Sequence, residues 1–95
     1  MNGHTFTLPA GHPALPGHFP GQPIVPGVLL LDAVLRAAAA EYPGGTAPTR
    51  ILRAKFPAPV APGDAVVIAL TPRAGGRIGF TCRRGDTTVL TGELA

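Results

Sequence analysis

An α+β fold, with one buried helix set against an antiparallel sheet, is predicted by three observations. Residues 28–42 are apolar nearly all round, with only Asp32, Arg36 and Glu41 clearly polar, and a helix of that kind is buried on most of its sides. The second half of the chain alternates apolar and polar residues with period two, broken by Pro/Gly turns, as half-buried strands do. One short strand precedes the helix, so the order is strand, helix, then four strands in antiparallel succession, which is an α+β arrangement.

The elements follow in order. Thr5-Phe6-Thr7-Leu8 reads as a first strand stopped by Pro9. Residues 9–27 form a Pro/Gly loop, too punctuated for a regular element and too apolar for a flexible linker. The helix runs from about Val28 to Tyr42 and ends at Pro43-Gly44-Gly45, strong breaker chemistry. Leu52, Ala54 and Phe56 alternate with Ile51, Arg53 and Lys55 as a half-buried strand. Pro62-Gly63-Asp64 turns into Ala65 to Leu70, an apolar run suited to a central strand. Ala74-Gly75-Gly76 is a hairpin turn into Ile78, Phe80 and Cys82, which alternate with Arg77, Gly79, Thr81 and Arg83. Arg84-Gly85-Asp86 turns into the last strand, Thr87 to Leu94. Arg-Gly-Asp also spells an adhesion tripeptide, but Gly-Asp at a hairpin tip is ordinary turn chemistry.

At 95 residues, 45% of them apolar, residues 1–95 make one domain around one core. There is no run of eighteen apolar residues and no basic start followed by an apolar stretch, so neither a membrane span nor a signal peptide is expected. A single cysteine forms no internal disulfide and fits the cytoplasm. Cys82 shares an apolar face with Ile78 and Phe80, which makes it an inert buried thiol rather than a nucleophile. His4, His12 and His18 match no metal spacing and lack a supporting cluster, so neither metal nor cofactor is expected. The net charge of +3 and a pI near 10.0 suggest an acidic partner. Nucleic acid is not expected, because the cations are scattered and four Phe and one Tyr do not make a stacking set.

The segment Pro16-Gly17-His18-Phe19-Pro20-Gly21-Gln22-Pro23-Ile24-Val25-Pro26-Gly27 enters the helix directly. It sets a histidine in a stiff loop and a carboxylate, Asp32, in an otherwise apolar helix. These are the side chains that general acid–base chemistry uses most. Taken alone, His18 also reads as a loop histidine satisfied by backbone hydrogen bonds, and Asp32 as a carboxylate favoured by the helix dipole. Against the second reading, Leu31 and Leu35 imply that Asp32 is buried, which is costly unless something satisfies or uses it.

Gly17-His18-Phe19-Pro20-Gly21, Pro23, Pro26-Gly27-Val28-Leu29 and Asp32-Ala33 together resemble the signature of the 3-hydroxyacyl-acyl carrier protein dehydratases, which have the hotdog fold, an antiparallel sheet wrapped around one long central helix. The histidine-to-acid spacing is the same. Ala54-Lys55-Phe56 to Val60-Ala61-Pro62-Gly63-Asp64 resembles that family's strand–turn–strand segment. Aspartate at position 32 is similar to the isomerising branch, while most of the remaining chain looks closer to the shorter, non-isomerising one. The chain is shorter than the family's usual members.

The resemblance implies dehydration of 3-hydroxyacyl thioesters to trans-2-enoyl thioesters in fatty acid or related acyl-chain biosynthesis, on an acyl carrier protein. It makes His18 the base at C2 and Asp32 the acid at the departing hydroxyl, or the holder of the departing water. It puts the Gly27 N–H on the thioester oxygen, with the Ile24 carbonyl orienting the histidine. Phe19, Pro20, Gly21, Pro26, Val28 and Arg36 shape the site. Family sites lie between two subunits, and an apolar helix with a short, open-edged sheet points to a dimer or higher homo-oligomer. Arg36 stands where the family usually has glutamine, one helical turn from Asp32, and a guanidinium there opposes proton donation. Two alternatives follow: a non-catalytic hotdog protein that binds acyl carrier protein or pairs with an active paralogue, and a hotdog thioesterase, which the His18 loop disfavours.

Overall fold

A computed structural model describes residues 3–9, 24–42 and 47–95. The elements are β1 (Gly3–Phe6), α1 (Gly27–Glu41), β2 (Ile51–Lys55), β3 (Val66–Pro72), a 3-10 turn (Ala74–Gly76), β4 (Ile78–Arg84) and β5 (Thr87–Leu94). The strands form one antiparallel sheet in the order β1-β3-β4-β5-β2, with α1 packed on one face across β1 and β3. This is the expected α+β architecture, one long helix against an antiparallel sheet. The predicted helix stop at Pro43-Gly44-Gly45 and the loop from Ala10 to Pro23 lie outside the described residues, as do His12, His18, Phe19, Pro20 and Gly21.

The inner face follows from the period-two pattern. Ile68, Cys82 and Leu90 stand in register across β3, β4 and β5, and Leu70 faces Phe80. All of these are buried, together with Val66, Ile78 and Leu94. A bulge after Cys82, where Cys82 pairs Leu90 but Arg83 pairs Thr88, leaves Val89 as an extra residue. The bulge accounts for two consecutive buried residues, Val89 and Leu90, in one strand. Gly92 faces Phe80, and a methyl group on Gly92 would lie 2.6 Å from Phe80 Cζ and would also collide with the Arg53 carbonyl. Only glycine leaves room there for the ring.

Four expectations need correction. β1 ends at Phe6 rather than Leu8, because its partner strand β3 begins at Val66, opposite Phe6. Leu8 instead turns into the core, and its carbonyl accepts the Gly63 N–H at 2.8 Å. β2 is not half-buried: Ile51, Leu52 and Phe56 are 39%, 38% and 47% exposed, because β2 forms the sheet edge beyond the helix. The later strands are also not in simple succession, since β2 pairs with β5, and β3 lies three places away. Finally, α1 buries one stripe, Leu30, Ala33, Val34, Ala37 and Ala38. A single sheet covers only one side of it, so Val28 is 69% exposed.

Candidate functional site

The site is built around the start of α1. Pro26 is the N-cap in an extended conformation, with no side-chain cap, and the Leu29 N–H reaches back to the Pro26 carbonyl at 3.0 Å. No acidic residue stands in the first turn. The first backbone N–H groups, at Gly27 and Val28, carry the positive end of the helix dipole with no side chain of their own helix to satisfy them.

The loop from β2 to β3 returns past this helix end. The Val25 N–H donates to the Val60 carbonyl at 2.8 Å. The Arg84 guanidinium donates to the Pro59 carbonyl and lies 3.7 Å from Asp64. Asp64 in turn accepts the Ala61 N–H at 3.0 Å. Pro57, Pro59 and Pro62 fix φ along the segment, so it forms a stiff wall. Between that wall and α1 opens a cleft of about 520 Å³, lined among the described residues by Ile24, Val25, Gly27, Leu30, Phe56 and residues 57–60, none of which carries a titratable side chain. Phe56 lies directly over Gly27: a methyl group on the Gly27 Cα would be 2.8 Å from its Cζ.

The structure brings Ile24 and Gly27 to this cleft and sets Pro26 at its helix cap. It does not bring Asp32 there. Asp32 shares an exposed stripe with Val28 and Arg36, its side chain 54% exposed, and its Oδ2 accepts Arg36 Nε at 2.7 Å. The expected burial of Asp32 does not hold within one chain. At about 100° per residue, positions 28, 32 and 36 fall on one line, and that line faces away from the sheet. Arg36 also borders a smaller groove of about 260 Å³ between α1 and β1, beside His4, where His4 Nε2 meets Glu41 Oε1 at 3.1 Å.

Phe56 and Val60 are the site residues that sequence reasoning missed. The run Ala54-Lys55-Phe56, followed by closely spaced prolines, carries the signal, but it reads locally as strand and turn. Cys82 is buried as expected, and burial pushes its thiol from 9.0 up to about 12. Among the described residues no three of His, Cys, Asp or Glu gather as a metal site. No helix there is long and apolar enough to cross a membrane.

A solved structure described as the dehydratase heterocomplex ApeI:P from Xenorhabdus doucetiae superposes with a TM-score of 0.81 at 26% identity, over 97% of this chain and 82% of that one. A structure of a single-residue mutant of the fluoroacetyl-CoA-specific thioesterase FlK shares the fold, with a TM-score of 0.68 at 17% identity, over 97% of this chain and 83% of that one. The chain is 36% identical over 96 residues to a 3-hydroxyacyl-[acyl-carrier-protein] dehydratase FabZ of Haemophilus influenzae, covering 93% of this chain and 64% of that protein. It is 35% identical over 102 residues to the FabZ of Chlamydia trachomatis, covering 87% and 63%. The chain thus spans less than two thirds of the length of these curated relatives. A family model described as ApeI-like, ApeI dehydratase, matches residues 3–93, and the chain accordingly belongs to the ApeI-like dehydratase family.

Proposed function

We propose that this protein dehydrates 3-hydroxyacyl thioesters, carried on an acyl carrier protein, to trans-2-enoyl thioesters in fatty acid or related acyl-chain biosynthesis in the cytoplasm. The observation that carries the reading is a helix start to which the N-cap residue Pro26 gives no side-chain bond, with Gly27 lining an apolar cleft. The Gly27 N–H there suits the charge that builds on a thioester oxygen as a C2 proton leaves. Neutral His18 takes that proton. The electron pair forms the C2–C3 double bond, the C3–O bond breaks, and the departing hydroxyl takes up a proton, given by the Asp32 carboxylic acid or returned by the His18 imidazolium, and leaves as water. Asp32 serves that hydroxyl.

Asp32 lies on the outward stripe of α1, away from the cleft of its own chain. This placement supports a site completed by a second subunit. The exposed edge strand β2, with Ile51 and Leu52 partly bare, supports sheet-edge pairing of two copies. A second reading, pairing with an active paralogue and no catalysis of its own, is favoured by the Asp32–Arg36 ion pair, and the ApeI:P neighbour is described as a heterocomplex.

The test is conversion of a short 3-hydroxyacyl thioester, on carrier protein and on pantetheine, by the wild type and by His18→Ala. Turnover that falls by about 10²–10⁴-fold in the variant, the contribution of a positioned general base, supports the dehydratase. Wild-type protein that binds the carrier yet turns over no substrate supports the non-catalytic reading.

A further inference from the structure

We propose that Phe56 is a specificity-determining residue that selects acyl thioesters unbranched at C2. The inference rests on the acyl-thioester reading of the cleft and adds a role for a residue outside the His18–Asp32 motif. The ring occupies the space that a side chain at position 27 would need: a methyl on the Gly27 Cα would lie 2.8 Å from Phe56 Cζ and 3.0 Å from Cε1. A thioester whose carbonyl accepts the Gly27 N–H holds its C2 within about 4–5 Å of that nitrogen. A C2 substituent turned to the Gly27 Cα side of the cleft is within reach of the ring.

The ring has little help in moving aside. Pro57 follows it directly, and two residues on the Pro59 carbonyl is held by Arg84. Val60 is tied to Val25 at the foot of α1. Backbone retreat is thus opposed, and relief comes only from side-chain rotation. Phe56 is 47% exposed on its outer side and lines the cleft in the conformation it holds. Ile24 and Leu30 line the same cleft. The discrimination is one of shape, and a hydrophobic wall rejects one extra methyl group by about 10- to 200-fold.

Binding measures this apart from turnover. The probes are two unreactive amide analogues, 3-hydroxybutyryl-pantetheine and 2-methyl-3-hydroxybutyryl-pantetheine with nitrogen in place of the thioester sulfur, titrated calorimetrically into the full chain. The wild type is expected to prefer the unbranched probe by about tenfold or more, Phe56→Ala to reduce the ratio to about threefold or less, and Phe56→Leu to fall between. Phe56→Trp introduces the only tryptophan in a chain that has none, so its emission should shift saturably with the unbranched probe. An unchanged ratio in Phe56→Ala and Phe56→Leu, or unchanged emission with the probe bound, overturns the proposal. Wild-type protein that binds the probes but turns over no substrate defeats the dehydratase reading alone, since the ratio still judges Phe56. Failure of the wild type to bind either probe removes both.

Discussion

Arg36 Nε donates to Asp32 Oδ2 across 2.7 Å, one helical turn away on the exposed stripe of α1. An exposed pair of this kind contributes only about 0.3–0.5 kcal/mol to stability, so its consequence lies in chemistry rather than folding. A carboxylate committed as acceptor to a guanidinium is poorly placed to hand a proton to a leaving hydroxyl. Arg36→Gln should raise the dehydration rate constant by roughly tenfold, a fraction of the roughly 10²–10⁴-fold that a positioned acid contributes in full, while changing urea stability by less than about 0.5 kcal/mol. A rate that falls instead would mean that Arg36 assists the reaction or carrier docking.

Gly92 is predicted to tolerate no side chain. Its β-carbon position is contested by the Phe80 ring and by the Arg53 carbonyl of the paired edge strand. Gly92→Ala should destabilise by about 2–3 kcal/mol, the scale of overpacking in a filled core. Chemical denaturation measures it, and a cost below about 0.5 kcal/mol would show that β2 can shift outward freely.

The buried thiol of Cys82 sets an alkaline limit. Its folded-state value is raised from 9.0 to about 12 by burial, so the unfolded chain releases its proton first. The stability tied to the neutral thiol is complete below about pH 9 and is lost as pH climbs toward 12, at roughly 1.4 kcal/mol per unit within that window. Cys82→Ala should flatten this alkaline limb in denaturation curves taken across it. A disulfide-exchange reagent at pH 8 should leave native Cys82 unlabelled and label it after unfolding.

His4 and Glu41 join the edge strand β1 to the end of α1 at 3.1 Å. Glu41 stands in the last turn, where the helix dipole disfavours a negative charge, and its carboxylate meets the His4 ring. His4→Ala should cost about 0.5–1 kcal/mol, and amide exchange in β1 should speed up more than in β4. Equal acceleration in both strands would show that β1 does not open on its own.

The inner face of the sheet is legible in the sequence because alternation is a local signal: Ile78, Phe80 and Cys82 point one way whatever the strand order. Strand order itself is not legible. Nothing in Ile51 to Lys55 reports that β2 pairs with β5 at the far edge, so the exposure of β2 escapes a reading of its pattern. Leu31 and Leu35 suggest a buried Asp32 because they are its chain neighbours, whereas its neighbours on the helix line are Val28 and Arg36. Phe56 reaches Gly27 only through a long-range return of the chain, which strand and turn patterns cannot encode. The motif around Gly27 is readable because glycine and proline spacing constrains the backbone directly.

The most direct test of the central claim, a dehydratase site shared between two chains, is subunit complementation. His18→Ala and Asp32→Ala proteins, each nearly inactive alone, are mixed, unfolded and refolded together, and assayed on a 3-hydroxyacyl thioester. Random pairing makes half of the dimers mixed, each with one intact site of two, so activity should return to roughly a quarter of wild type. Wild-type turnover with a mixture no more active than either parent would contradict a site shared between two chains.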